Sequence, residues 1–187
     1  MKSPNYTPMM PGKTMIQTAL FLLLLFTLFW IAGCKVATPF SGPGYESENG
    51  VSIHVNDSVM VGLTYAKLGG PFKMNRRFWT YTNKVAKTLD QQPGFVGFTM
   101  RRRLLVGEGW TMSVWRDEAS MNNFVHSPMH LEAVREAGKA MKQAKFARFK
   151  VPKSEIPLNW KQAEAMLEKY GRSYASMGRG AGSVLGY

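Results

Sequence analysis

The stretch that decides the fold covers residues 93–130 and reads PGFVGFTMRRRLLVGEGWTMSVWRDEASMNNFVHSPMH. Apolar side chains alternate along residues 95–103 and again along residues 110–115, which is the period of a β-strand. Glycines within residues 107–109 permit a tight turn between the two strands. The stretch therefore predicts a β-hairpin, followed by a helix that Asp117 caps at its N-terminus.

The flanking segments complete a regular order of strands and helices. Residues 58–68 place apolar side chains on both sides of an extended chain, as in a strand buried on both faces. Residues 72–91 repeat apolar side chains at helical spacing, and residues 145–151 alternate as a last strand. Ser127 followed by Pro128 predicts that the second helix is made of two pieces. The sequence thus predicts an α+β fold, the ferredoxin-like βαββαβ domain.

Four further segments surround this domain, which we place at residues 58–152. Residues 35–57 are rich in Gly, Pro and Ser and are predicted to be a linker. Residues 153–170 carry one apolar helical stripe and predict an appended helix. The glycine-rich residues 171–187 are predicted to be a flexible tail. Residues 1–34 are predicted to be a membrane anchor or a lipoprotein signal.

The N-terminal apolar run, residues 15–31, carries no charged side chain. It stands at the lower limit for a transmembrane helix, roughly 17 residues, and is slightly long for the apolar part of a secretory signal. The sequence IAGC at residues 31–34 resembles the lipobox of bacterial lipoproteins, so Cys34 is the predicted lipidation site. An uncleaved transmembrane helix is the alternative. Lys2 and Lys13 before the run favour a domain on the extracytoplasmic, periplasmic side.

Basic residues outnumber acidic ones by 24 to 12, which gives a formal charge of +12. Eight of them stand against the single acid Asp90 between positions 71 and 105. They define a predicted basic docking face: Lys73, Arg76, Arg77, Lys84, Lys87, Arg101, Arg102 and Arg103. Such a face suits anionic membrane lipid or the acidic surface of an integral membrane protein complex. We predict no nucleic-acid partner, because no recognition motif is present.

The lone cysteine excludes a disulfide within the chain and a zinc site made of several thiolates. His126 and His130 have the spacing at which two imidazoles on one helix share a metal. The helix break at residues 127–128 disturbs that geometry. The sequence therefore predicts no metal site.

The segments PGFVGF and SVWRDEASMNNFVHSPMH, with the later ARF strand, resemble the antibiotic biosynthesis monooxygenase-like group of dimeric α/β barrels. The most specific part is the strand end at residues 115–118, followed by F-x-x-S-x-x-H at residues 124–130. The resemblance covers roughly residues 58–151. It implies a homodimer whose two sheets face each other, with a pocket between sheet and helices in each subunit. In haem-degrading members the iron ligand falls at about Val134, and no histidine follows His130 here, so we predict no cofactor.

Two functions fit these observations. The first is a membrane-anchored, extracytoplasmic accessory or ligand-binding protein that docks on a membrane protein complex or an anionic membrane surface. It accounts for the anchor, the extra helix and the tail. The alternative is a cofactor-free monooxygenase-like enzyme that acts on a small aromatic or quinone substrate. The candidate pocket residues are Trp79, Phe98, Trp115, Phe124 and His130; the sequence assigns no catalytic residue.

Overall fold

The computed structural model describes residues 12–33, 35–53 and 57–175. The chain divides into two compact units, Met1–Cys34 and Lys35–Tyr187. The second unit holds the β-sheet and the helices that cover it.

The first unit contains one described element, helix α1 (Gly12–Gly33). Within the described residues, no helix is both long enough and apolar enough to cross a membrane. Cys34, the predicted lipidation site, lies outside the described residues. Lipidation and the periplasmic location therefore stay predictions.

The second unit is built on an antiparallel sheet. Its strands are β1 (Val36–Ala37), β2 (Tyr45–Glu46), β3 (Gly50–Val51), β4 (Ser58–Leu68), β5 (Phe95–Arg103), β6 (Glu108–Trp115), β7 (Met141–Pro152) and β8 (Arg172–Ala175). Its helices are α2 (Phe72–Ala86), α3 (Glu118–Val125), α4 (Pro128–Gly138) and α5 (Trp160–Tyr170). The sheet order is β1-β5-β6-β4-β7-β8, and β2 pairs only with β3. The four long strands and α2 to α4 confirm the predicted ferredoxin-like βαββαβ order.

The predicted break in the second helix is confirmed by two N-terminal caps. The Asp117 carboxylate accepts a hydrogen bond from the Ser120 amide at 2.7 Å and begins α3. The Ser127 hydroxyl accepts from the His130 amide at 3.3 Å and begins α4, with Pro128 in its first turn. Because proline lacks an amide hydrogen, it fits a first turn better than a helix interior. The break therefore follows from local chemistry.

Residues of β4 alternate between two covered faces of the sheet. Val61 and Leu63 point away from α2 to α4, to what we call the opposite face. Helix α5 and side chains from residues 38–53 pack on this face. The buried cluster there includes Val59, Val61, Leu63, Val96, Met112, Val114, Ala147, Phe149, Val151, Ile156, Leu158, Ala163 and Leu167.

The helix face, which α2 to α4 cover, has two separate apolar clusters. One joins the α3 end of the sheet and contains Met60, Leu89, Phe95, Trp115, Met121, Phe124 and Val125. The other joins α2 to the last turn of α4 and contains Ala66, Leu68, Phe78, Ala137 and Ala140. The middle of the helix face belongs to neither cluster.

The prediction that residues 35–57 form a linker is wrong for the described residues 35–53. Strand β1 pairs with β5, and Ser41 forms a bridge with Phe98. The side chains of Phe40, Tyr45, Val51 and Ile53 pack against the buried cluster of the opposite face. These apolar residues are spaced irregularly, so they gave no periodic signal, yet their burial fixes the segment on the sheet.

The predicted flexible tail, residues 171–187, is wrong for residues 172–175. These residues form β8, which pairs with β7 along residues 143–146. The remaining residues 176–187 lie outside the described residues. The predicted appended helix is present as α5, and Asn159 and Gln162 form a capping box at its start.

Candidate functional site

A row of four residues crosses the middle of the helix face. Phe98 is paired with Ser113, Ser113 with Gly62, and Gly62 with Arg148. Residues paired across antiparallel strands project to the same face. All four are half-buried, although their immediate neighbours on the opposite face, Val61 among them, are fully buried. The residues of this row therefore keep some solvent-accessible surface on the helix face.

A second row runs parallel to the first. Thr111 of β6 is paired with Met100 and Thr64, and Thr64 is also paired with Phe146. Threonine, serine and glycine are small. On β4 and β6 they therefore fill less of the space under the helices than the large side chains of the two apolar clusters do on either side. We call this space the helix-side crevice. It is defined by Gly62, Thr64, Phe98, Thr111, Ser113, His130, Phe146 and Arg148.

His130 lies at the N-terminal end of α4, beside the crevice. Its Nδ1 is 2.9 Å from the carbonyl oxygen of Val125. Because a carbonyl only accepts hydrogen bonds, Nδ1 carries the hydrogen and Nε2 keeps a lone pair. Burial lowers the pKa of His130, and the positive charge of Arg148 lowers this pKa further. His130 is therefore neutral at pH 7, with one nitrogen able to accept a proton.

Arg148 supplies positive charge on the floor of the crevice. Its Nη1 donates a 3.0 Å hydrogen bond to Oδ1 of Asn122, which lies on α3. This bond ties the guanidinium to the helix layer. An anion bound in the crevice would thus meet a positioned positive charge on one side and a neutral imidazole on another.

An aromatic wall closes one end of the crevice. Trp115 stacks on Phe124 with ring centroids 4.9 Å apart, and Phe124 lies 4.9 Å from the His130 ring. The indole Nε1 of Trp115 donates to the Ser113 hydroxyl at 3.0 Å. The wall therefore orients both Ser113 and His130.

Four of the five predicted pocket residues lie together. Phe98, Trp115, Phe124 and His130 belong to, or contact, the cluster at the α3 end. Trp115 has no exposed surface, so it supports the wall without touching a ligand. Trp79 lies apart: its ring covers Gly109, and Arg102 lies 4.9 Å above it.

Sequence reasoning missed the polar part of the site. Gly62, Ser113 and Arg148 lie on three different strands, and only the strand register brings them into one row. Asn122 was in the quoted helix but had no signal of its own. The available signal was that each of these strands carries one polar or small residue on the side that faces the helices. This signal could be used only once the pairing of the strands was known.

Residues 78–136 match the family model of antibiotic biosynthesis monooxygenases. The match covers part of the βαββαβ core, from α2 into α4. This match confirms the resemblance expected from the sequence. It supports the enzymatic alternative and gives no support to the predicted accessory role. No curated protein sequence matches the chain.

Several solved structures are similar to part of this chain. SnoaB, a cofactor-independent oxygenase from Streptomyces nogalater, is 20% identical, with a TM-score of 0.41, over 50% of this chain and 92% of that chain. A conserved protein from Methanosarcina mazei is 10% identical, with a TM-score of 0.45, over 50% and 92%. A protein from Lactobacillus acidophilus is 14% identical, with a TM-score of 0.43, over 53% of this chain. The chain spans about half (49%) of the length of the Lactobacillus protein.

A homodimer with facing sheets would use the opposite face of the sheet. In this chain, α5 and residues 38–53 pack on that face. A second subunit approaching there would meet these segments before the strands of the βαββαβ core. The homodimer stays a prediction.

The predicted basic docking face is only partly exposed in the structure. Lys73, Arg76, Lys84 and Lys87 are exposed on and just after α2. The prediction that Arg101 belongs to an exposed face is wrong, because only 5% of its surface is exposed. Alternation along β5 turns Arg101 and Arg103 to the opposite face, where each pairs with a glutamate.

A cavity of about 650 Å³ opens on the opposite face of the sheet. Tyr65 and Glu108 line it, and the Tyr65 hydroxyl donates to the Glu108 carboxylate at 3.2 Å. Burial, followed by the charge of Glu108, raises the pKa of Tyr65 to about 12. The phenol is therefore protonated at pH 7 and is a poor base. Lys145 at the cavity rim is paired with Glu168 at 2.8 Å.

No cluster of three or more histidine, cysteine or acidic residues suited to a metal occurs in the part of the chain that the structure describes. His126 is exposed, and its Nδ1 lies 2.8 Å from the Asn122 carbonyl oxygen. His130 bonds a different carbonyl. The two imidazoles thus have separate backbone partners.

Proposed function

We propose that the domain is a cofactor-independent monooxygenase that oxidises a small phenol or hydroquinone in the helix-side crevice. The observation that carries the proposal is His130, a neutral and largely buried imidazole whose Nδ1 is held by the Val125 carbonyl. Its Nε2 is then a base beside an aromatic wall and a positive charge. The family match over residues 78–136 supports oxygenation as the reaction class.

His130 would begin the reaction as a general base. Its Nε2 takes the phenolic proton, and the resulting phenolate is stabilised by the Arg148 guanidinium. The deprotonated ring is electron-rich at the para carbon. Removing water from the crevice strengthens the attraction between the phenolate and Arg148.

Molecular oxygen supplies the oxidant. The phenolate gives one electron to oxygen, and the two radicals combine to form a carbon–oxygen bond at the para carbon. The peroxide takes the proton from His130, and the imidazole then removes the hydrogen of the oxygenated carbon as hydroxide leaves, which forms water and the new carbonyl. One phenol with hydrogen at its para carbon and one oxygen molecule thus give one quinone and one water. A hydroquinone, whose para carbon carries a hydroxyl, reacts at a neighbouring carbon that carries hydrogen and gives a hydroxyquinone and water, so neither substrate needs an external reductant.

Oxygen consumption by the purified full-length chain tests this proposal. Candidate substrates are naphthols and hydroquinones, with the quinone product followed by its absorbance. His130→Ala should lower kcat by about 10²-fold or more, the usual contribution of a general base. His126→Ala is the matched control, because this neighbouring histidine is exposed and should keep the parent rate.

Two results would contradict the proposal. One is a chain that binds these aromatics but never consumes oxygen. The other is equal loss of activity in the His126 and His130 variants with both folded by circular dichroism, since that result would give His130 no special role.

A further inference from the structure

Three connections meet at one end of the sheet, which we call the loop end: residues 69–74, 104–107 and 139–142. The Leu68 amide donates to the Gly107 carbonyl at 2.8 Å. The Gly69 amide donates to the Ala140 carbonyl at 3.0 Å. These bonds hold the end of β4 beside both of the other connections. Side chains on the three connections therefore share one end of the domain.

The loop end carries large apolar side chains in solvent. Phe72 is 83% exposed and Leu105 is 61% exposed. Met74 and Val106, on the same two connections, are also exposed. Single exposed apolar residues are common, but a group at one end of a domain marks an interaction surface.

Basic residues surround these apolar side chains. Within residues 67–77, 103–108 and 135–142 there are eight basic residues and two acids. The acids, Glu108 and Glu136, are buried and paired with basic neighbours. The basic residues are Lys67, Lys73, Arg76, Arg77, Arg103, Arg135, Lys139 and Lys142. The loop end thus combines exposed apolar side chains with a net positive charge.

The other end of the sheet is nearly balanced in charge. Five acids lie there, Asp57, Asp90, Asp117, Glu118 and Glu155, together with four basic residues, Lys87, Arg116, Lys150 and Lys153. The excess of positive charge is therefore greater at the loop end, which is the end that a negatively charged surface would attract.

The chain also joins the domain at the loop end. Val36 is paired with Arg102 and Ala37 with Arg101, so Lys35 lies toward the β5–β6 turn. The apolar run of residues 15–31 comes shortly before Lys35 in the sequence. The apolar run is thus attached in sequence to the loop end of the domain.

We propose that the loop end docks on a bilayer surface containing anionic lipid. Phe72 and Leu105 enter the interface between headgroups and acyl chains, while Lys73 and Arg76 contact lipid phosphates. Aromatic and aliphatic tips within a basic ring fit this interface. The proposal is independent of the oxidation chemistry in the crevice.

A fluorescent label that reports local polarity tests the docking directly. The full-length chain with Cys34→Ser and one new cysteine, Phe72→Cys or Leu105→Cys, is labelled and reconstituted into vesicles. The matched control is Asn123→Cys, an exposed position on α3 away from the loop end. In phosphatidylglycerol vesicles we expect blue-shifted emission from the labels at positions 72 and 105, and none at position 123. The shift should be smaller in pure phosphatidylcholine.

Charge variants then test the role of the basic ring. With the label at position 105, Lys73→Gln and Arg76→Gln should each weaken docking by roughly fivefold, as expected for one basic residue at an anionic surface. Lys150→Gln and Lys153→Gln, at exposed positions elsewhere, should leave the emission unchanged.

Three results would overturn the proposal. The first is no shift at positions 72 and 105 in anionic vesicles. The second is an equal shift at position 123, which would mean general adsorption. The third is a shift that needs native membranes with their proteins, because the loop end would then bind a protein partner instead of lipid.

Discussion

Replacing Arg101 with alanine should destabilise the domain by detaching α5 from the sheet. The Arg101 guanidinium lies between two indoles, 4.4 Å from the Trp110 ring and 4.6 Å from the Trp160 ring. It also pairs with the Glu164 carboxylate. Trp110 belongs to β6, whereas Trp160 and Glu164 belong to α5, so this one side chain of β5 makes two contacts with the helix.

The expected loss follows from these contacts. Two largely desolvated cation–π contacts contribute about 1–2 kcal/mol each, and a charged hydrogen bond contributes about 1.5–3 kcal/mol. Removing Arg101 also removes the cost of burying its charge, while Glu164 is 39% exposed and can be hydrated. We therefore expect a loss of about 3 kcal/mol, the low end for breaking a buried ion pair.

Urea denaturation and amide hydrogen exchange measure this effect. Arg102→Ala is the matched control, because Arg102 has one cation–π contact, with Trp79, and one long hydrogen bond at 3.3 Å to Asn83. The control should lose no more than about 1 kcal/mol. Arg101→Ala should also speed exchange in α5. Equal losses in the two variants, with α5 still protected, would refute the reasoning.

Three further changes test the crevice and the helix start. Gly62→Val should lower the rate of oxygen consumption, and it should lower the free energy of unfolding by about 1–3 kcal/mol. The reason is that a Cβ at position 62 would lie 3.0 Å from Ser113 Oγ. An unchanged rate of oxygen consumption would contradict this prediction. The pKa of His130 is lowered by burial from the ordinary histidine value of 6.5, so the rate should hold below pH 6.5 and fall only as the imidazole gains a proton; a fall centred at or above 6.5 contradicts the assignment. Hydrogen bonds from Ser120 lower the pKa of Asp117 from the ordinary value of 3.8 to about 2. The stabilising effect of this carboxylate is therefore full above pH 3.8 and is lost as the pH falls toward 2. Asp117→Asn should flatten this part of the pH dependence of unfolding, and an unchanged acid limb argues against it.

The βαββαβ order could be predicted because each element carries a local signal. Alternation of apolar side chains indicates β5 and β6. Each cap, at Asp117 and at Ser127, is a hydrogen bond between a side chain and the amide three residues later. Such signals do not depend on where the rest of the chain lies. The helix break, the bounds of β4 and β5 and the family resemblance were therefore accessible from the sequence.

Long-range placement could not be predicted in the same way. Arg101 was assigned to an exposed face because its partners, Trp160 and Glu164, lie far along the chain. The crevice row depends on the register of β4 with β6 and β7. Residues 35–53 were predicted to be a linker because their Gly, Pro and Ser content indicates a flexible chain. That content says nothing of the sheet surface on which Phe40 and Tyr45 pack.

The cover of the opposite face has a consequence for biosynthesis. When the ribosome has released residue 152, every strand of the βαββαβ core has been made, but α5 has not yet emerged. Val61, Leu63 and Phe149 then lack the helix that packs on them in the finished domain. Exposed apolar sheet surface is prone to aggregation. For a nascent chain, the arrival of α5, and not completion of the core strands, ends this exposure.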